Sequence, residues 1–369
     1  TIEPAAKMKI LYAIQGTGNG HVCRALEIVP ILSSKADVDV LVSGIQADVR
    51  LPFNVKYIFK GLSFVFGRKG GIDLLQTYKK SHLRMLLSEI QSLPVEEYDL
   101  VISDFEPVSS WACYAKNKPC IALSHQAAVL NPKSPQPKHT DRLGKSILKS
   151  YAPSSVQYGL HFAKYDENIF TPVIRKQVRD AEITDAGHYT VYLPAYSDKR
   201  IIHVLDECRD VRWEIFSKHF EHSIETPTIK LLPVENDAFI RSMASSHGVL
   251  CGAGFETPAE ALFMKKKLLV IPMKNQFEQH CNAAALKTLG VPVMKSLRNK
   301  HLPLLKEWLA GEERVEVDYP DETEEIIDFI LQTHSVAQGA ELIPGDAETF
   351  TLKTLKALTK KKILSKVSG

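Results

Sequence analysis

The chain has 369 residues, 44% of them hydrophobic and 24% charged, and its 46 Lys and Arg against 43 Asp and Glu leave a formal charge of +3. That length accommodates two domains of ordinary globular composition, and so even a charge balance carries no electrostatic footprint for nucleic acid. No apolar run is long enough to span a bilayer, residues 1–9 lack the apolar core of an export signal, and the six cysteines have no metal or redox spacing, so buried free thiols and a cytoplasmic setting are expected.

Met8 to Ile14 reads as a buried strand that leads through Gly16-Thr17-Gly18-Asn19-Gly20-His21 into a helix from about Val22 to Leu32. The turn is glycine-rich but is not GxGxxG, and the next strand (Val38 to Val42) ends in Ser43-Gly44 instead of an acid, so it is no dinucleotide fingerprint. In a first helical turn the positive end of the dipole disfavours imidazolium. His21 is therefore expected to be neutral and able to accept a proton, although a packing or capping histidine would occupy the same place. The only Asp-x-Asp, Asp37-Val38-Asp39, enters a strand and so lies away from the crevice; no metal site is expected.

A strand at Val55 to Phe59 precedes an irregular piece, Gly61 to Gly71, and an amphipathic helix, Asp73 to Leu93. Tyr98 to Ser103 is the next strand, followed by Asp104-Phe105-Glu106, a helix (Val108 to Lys116) and a strand (Cys120 to Leu123) that closes on Ser124-His125-Gln126. In a doubly wound sheet of order 3-2-1-4-5 the first and fourth strands are neighbours, which puts Asp104 beside His21. A carboxylate there orients the imidazole and stabilises its protonated form, the setting of a general base. Asp104 is equally placed to cap the next helix, and Glu106 fits either role. Asn131 to Thr140 is a proline-rich loop, with Lys138, His139 and Arg142 nearby for a charged acceptor or for solvent.

Beyond Tyr158 to Phe162 and the turn Thr171 to Arg175, taken as the domain boundary, the alternation repeats. Strands are expected at 189–193, 213–216, 229–232, 248–251, 268–272 and 289–294. Helices are expected at 198–208, 237–245, from Thr257, at 304–309 and 322–331, and finally at 347–364, whose lysines form a solvated face or touch anionic lipid. Thr257, Pro258 and Glu260 have the spacing of a capping box. Alternatively Gly252-Ala253-Gly254 lets an anion approach the N–H groups of that helix start. The polar turn Phe277 to Asn282 would lie at the same sheet edge, where open α/β sheets bind ligands.

CGAGFETPAE and EQHCNA in that stretch resemble the donor half of GT-B glycosyltransferases, closest to the N-acetylglucosaminyltransferases of lipid-linked peptidoglycan precursor synthesis. The likeness to glucosyltransferases of small hydrophobic acceptors is weaker, and the Trp-Asn-Ser core of the plant box is absent. The resemblance implies an α/β protein of two Rossmann-like doubly wound domains facing across a cleft. Residues 1–170 would form the acceptor side, residues 171–345 the nucleotide-sugar side, and residues 346–369 a basic helix packing back on the first domain.

For the donor, the resemblance implies that Gly254, Phe255, Glu256 and Thr257 meet the diphosphate or sugar and that Glu260 holds the ribose. Glu278 and Gln279, with Asn282 of the same segment, would hold the sugar, while Arg175 and Ser197 would face the phosphates. It agrees with His21 as base and Asp104 as its support, and it puts Gly18, Asn19, Gly20, Glu106, His125 and Gln126 on the acceptor side. The implied reaction is an inverting, metal-independent transfer from a UDP-sugar to an acceptor hydroxyl, with no cofactor besides the donor substrate. The acceptor would be lipid-linked or a small molecule, and the setting cytoplasmic or peripheral at the inner membrane face. Two alternatives are a UDP-sugar 2-epimerase of the same fold and a catalytically silent nucleotide-sugar binder.

Overall fold

A computed structural model describes residues 7–44, 51–62, 83–138, 141–219 and 223–335. The first sheet contains β1 (Lys9–Gln15), β2 (Asp37–Ser43), β3 (Tyr57–Phe59), β4 (Leu100–Asp104), β5 (Ile121–Ser124), β6 (Val156–Leu160) and β7 (Ile169–Phe170). Their order is β3-β2-β1-β4-β5-β6-β7 and every pair is parallel. Such a sheet is covered on both faces, so its strands are continuously apolar. Along β1, Ile10, Tyr12 and Ile14 join the cluster of Val22, Ile28 and Leu32, while Leu11 and Ala13 join that of Leu86, Val108 and Ala112.

The second sheet contains β8 (His188–Tyr192), β9 (Arg212–Ser217), β10 (Ile224–Glu225), β11 (Ile229–Pro233), β12 (Gly248–Gly252) and β13 (Lys267–Ile271), in the order β10-β11-β9-β8-β12-β13. Only the short β10 is antiparallel. Strand order reverses between β1 and β4 and again between β8 and β12, so each lobe has one switch-point crevice. The strand expected at 289–294 does not form. Gly290 turns the chain at φ +96°, Pro292 has no N–H to give a ladder, and a single bridge joins Val293 to Val270.

The expected helix boundaries also shift at the carboxyl end. The helix expected at 322–331 in the second domain runs over Thr323–Ser335 and packs on the first: Lys35 pairs with Glu324 and Asp328, both at 2.8 Å, and Tyr158 Oη lies 2.9 Å from His334 Nε2. Ile326, Ile327 and Ile330 are buried there, so the chain recrosses before residue 345 because this helix has its apolar stripe facing the first lobe. Residues 63–82, 139–140 and 336–369, including the expected basic helix, lie outside the described residues. All six cysteines are buried and free, and no helix among the described residues is long and apolar enough to cross a membrane.

Candidate active site

The first lobe's crevice is built by β1 and β4, whose register sets Asp104 opposite Ile14. Past β1 the chain turns at Gly18, in a left-handed conformation at φ +92°, into the Asn19–Lys35 helix. His21 and Arg24 are three residues apart and share one helix face. Asp104 Oδ1 is 2.8 Å from His21 Nδ1, and Asp104 also accepts Arg24 Nε at 3.0 Å and Nη2 at 2.9 Å. Burial pushes the Asp104 carboxyl up, but the Arg24 guanidinium and His21 outweigh it and hold the group below its usual range. Facing an ionised carboxylate, Nδ1 carries the proton and donates it to Asp104. Arg24 Nη2 also approaches Nδ1 at 2.9 Å, and its hydrogen serves the same carboxylate oxygen. Nε2 is then the ring nitrogen able to accept.

Asp104 is free for this role because Glu106 caps the Pro107–Ala115 helix, accepting Val108 N at 2.7 Å and Ser109 N at 2.6 Å. Ser43 Oγ donates to the same carboxyl, whose burial raises it against these bonds. Fully buried and off the cavity, Glu106 fastens β2 to that helix, so its expected acceptor-side place is corrected. Between the two acids Phe105 sits at φ +56°, a conformation costing about 1–3 kcal/mol for a bulky residue. It turns the ring onto Tyr151 (4.7 Å) and alongside His21 (6.3 Å).

In the second lobe the Glu256–Phe263 helix begins one residue before Thr257, with Phe255 at its N-cap and no side-chain cap. The capping box is therefore absent. Glu260 instead receives Arg175 Nε at 2.5 Å and Nη2 at 2.8 Å, while Arg175 Nη1 donates to Asn236 at 2.6 Å. Neither partner lines the cavity. Beside the helix start a Cβ on Gly254 would meet nothing within 4 Å, which leaves open space there. Ser197 is exposed at the head of the Asp198–Leu205 helix after β8, the strand that pairs with β12.

A cavity of about 410 Å³ lies between the lobes, with Gly18, Gly20 and His21 on one wall and Phe255, Glu256 and Glu278 on the other. Residues of the two lobes touch directly beside it. Arg24 Nη1 donates to Glu256 Oε1, Gln126 Nε2 donates to Glu278 at 3.1 Å, and the His125 ring lies 3.9 Å from that of Phe255 and parallel to it. His125 Nε2 meets the Asn282 amide at 2.8 Å, and Asn282 in turn donates to Ala253 O at 3.1 Å. Both are fully buried, and burial lowers the basicity of His125. These two residues tie the lobes together. Gln279 accepts Met273 N at 2.8 Å and thereby fixes the turn after β13. Asn19 heads the first-lobe helix next to the cavity residues Gly18 and Gly20.

This two-lobed geometry matches known proteins. The profile described as glycosyl transferase family 1 matches residues 8–310. The chain belongs to this family. This family 1 glycosyltransferase has the GT-B fold, an α/β arrangement shared with solved structures of low identity. MurG from Acinetobacter baumannii is 14% identical, with a TM-score of 0.55 over 88% of this chain and 99% of that one. A UDP-glucosyltransferase from Polygonum tinctorium capable of glucosylating indoxyl is 12% identical, with a TM-score of 0.55 over 93% and 97%. A UDP-N-acetylglucosamine 2-epimerase is 14% identical, with a TM-score of 0.50 over 89% and 97%. No curated protein sequence matches the chain.

Two residues of this family 1 glycosyltransferase escaped the sequence reading. Arg24 was signalled only by its three-residue offset from His21. Gly159 in β6 gave no local signal at all: a Cβ there would lie 2.6 Å from Ala128 Cβ and 2.8 Å from Ala128 N, so the His125–Leu130 helix rests directly on β6. Gly159→Ala should push that helix outward and destabilise the protein by about 1–3 kcal/mol. Chemical denaturation checks this, and an unchanged midpoint would show that the helix can move without cost.

Proposed function

We propose that the chain moves a sugar from a UDP-sugar to an acceptor hydroxyl by a single displacement with inversion, without a metal ion. The observation that carries the reading is the His21–Asp104 pair, set at the switch point of the first lobe on the wall of the interlobe cavity. His21 Nε2 takes the acceptor's hydroxyl proton while that oxygen attacks the anomeric carbon. Asp104 stabilises the imidazolium that forms. The leaving UDP departs toward the N–H groups of the Glu256–Phe263 helix, where an anion is favoured, and Arg175 follows it by releasing Glu260. Glu278, on the cavity wall, is the sugar's partner. Phe105, Leu148 and Phe277 give the cavity apolar walls, which suit an acceptor with an apolar body, small or lipid-linked.

A panel of nucleotide sugars and hydroxylated acceptors, followed by nucleotide release and by NMR of the product's anomeric configuration, tests the reading. Retention of configuration would remove the single displacement. Activity should survive a chelator such as EDTA, and its loss would remove the metal-free step. The fold likeness to a 2-epimerase makes one arm essential: UDP-N-acetylglucosamine alone should not be converted to its 2-epimer.

A further inference from the structure

Among the described residues, the cavity lining is short of positive charge for a diphosphate. Among the described residues lining it, Arg24 is the only Lys or Arg, against the carboxyls of Asp141, Glu256 and Glu278. Arg24 is already committed, with Nε and Nη2 on Asp104 and Nη1 on Glu256. Arg175, the other guanidinium near the donor's expected place, is held by Glu260. Glu256 is the first residue of the helix whose free N–H groups would receive the diphosphate, and its side chain is 22% exposed. An ionised Glu256 and a bound diphosphate would then be two anions at one helix start. A Cβ on Gly20 would lie 3.0 Å from Glu256 Cγ, so the first lobe hems the side chain in.

We propose that Glu256 takes up a proton when the donor binds, which turns a repelling carboxylate into a neutral hydrogen-bond donor beside the diphosphate. The inference rests on the donor site proposed above. The groups facing Glu256 are Arg24 and the Cys23 thiol from the first-lobe helix, Asp104 from the end of β4, Glu260 from its own helix and Arg175 from the segment between the lobes. Burial, against Arg24 and with Glu260 and Asp104 in support, has already pushed its carboxyl up to about 7. A further anion within roughly 4–6 Å raises it again. The sign follows: well below pH 7 the group is protonated with or without donor, and no proton is taken up. Above pH 7 it is ionised when free and protonated when bound. Donor affinity therefore falls as pH rises above 7, by at most about tenfold per pH unit for one proton.

Calorimetric titration of the full chain with UDP-N-acetylglucosamine and UDP-glucose, in buffers of different ionisation enthalpy, counts the protons. These sugar diphosphates have no group of their own titrating near neutrality. Uptake should approach one proton at about pH 8 and vanish near pH 5.5, and Glu256→Gln should abolish it and flatten the pH dependence of the dissociation constant. Binding without uptake at pH 8 overturns the inference, and the wild-type measurement stands even if the variant misfolds. Uptake that persists in Glu256→Gln assigns the proton to another group and also overturns it. If no nucleotide sugar binds at all, the donor reading itself fails and takes this inference with it.

Discussion

His21→Ala should lower kcat for sugar transfer by about 10²–10⁴-fold, the usual contribution of a positioned general base, while the dissociation constant for the donor stays within about twofold. The imidazole lies 12% exposed at the edge of the first lobe, and its removal leaves the Asp104–Arg24 pair intact beneath it. The fold and the second lobe's surface should therefore be undisturbed. Nucleotide release under saturating acceptor measures the first effect and calorimetry the second. Donor binding lost together with turnover would make His21 a structural residue, and an unchanged kcat would move the base elsewhere.

Much of this arrangement is legible before any coordinates, for identifiable reasons. Buried parallel strands must be apolar throughout, so β1, β4, β12 and β13 announce themselves, and strand order follows from the doubly wound rule. From that order alone His21 and Asp104 are neighbours although 83 residues separate them. What the sequence hides are side chains whose partners come from distant elements. Thr257 and Glu260 carry a valid local cap signal, yet Arg175, 85 residues away, claims the acid. Glu106 and Asp104 both read as caps for one helix, and Glu106, directly before Pro107, takes the N-cap position while its carboxyl also accepts Ser43 Oγ. Arg24 reads as an ordinary helical arginine until Glu256, 232 residues on, closes over it. The short apolar run at 291–294 is ambiguous by pattern, because length and periodicity do not separate a strand from a buried loop there.

Asp104→Asn should be the most damaging single change, because the proposed support of His21 and the pairing of Arg24 rest on one carboxylate. The amide can present its NH₂ to Nδ1, which moves the imidazole proton to Nε2 and removes the proposed base; a loss of about 10⁴-fold in kcat follows from the corresponding tautomer error in a catalytic triad. The same change leaves Arg24, only 2% exposed, with Glu256 as its sole charged partner. Removing one member of a buried ion pair costs about 3–5 kcal/mol, so the unfolding midpoint should drop as well. The double variant Asp104→Asn with Arg24→Met separates the two effects, since it deletes the stranded charge without restoring the base. Stability should recover in large part while kcat stays at the level of Asp104→Asn. Recovery of kcat along with stability would mean that Asp104 acts only by holding Arg24, and that His21 needs no carboxylate behind it.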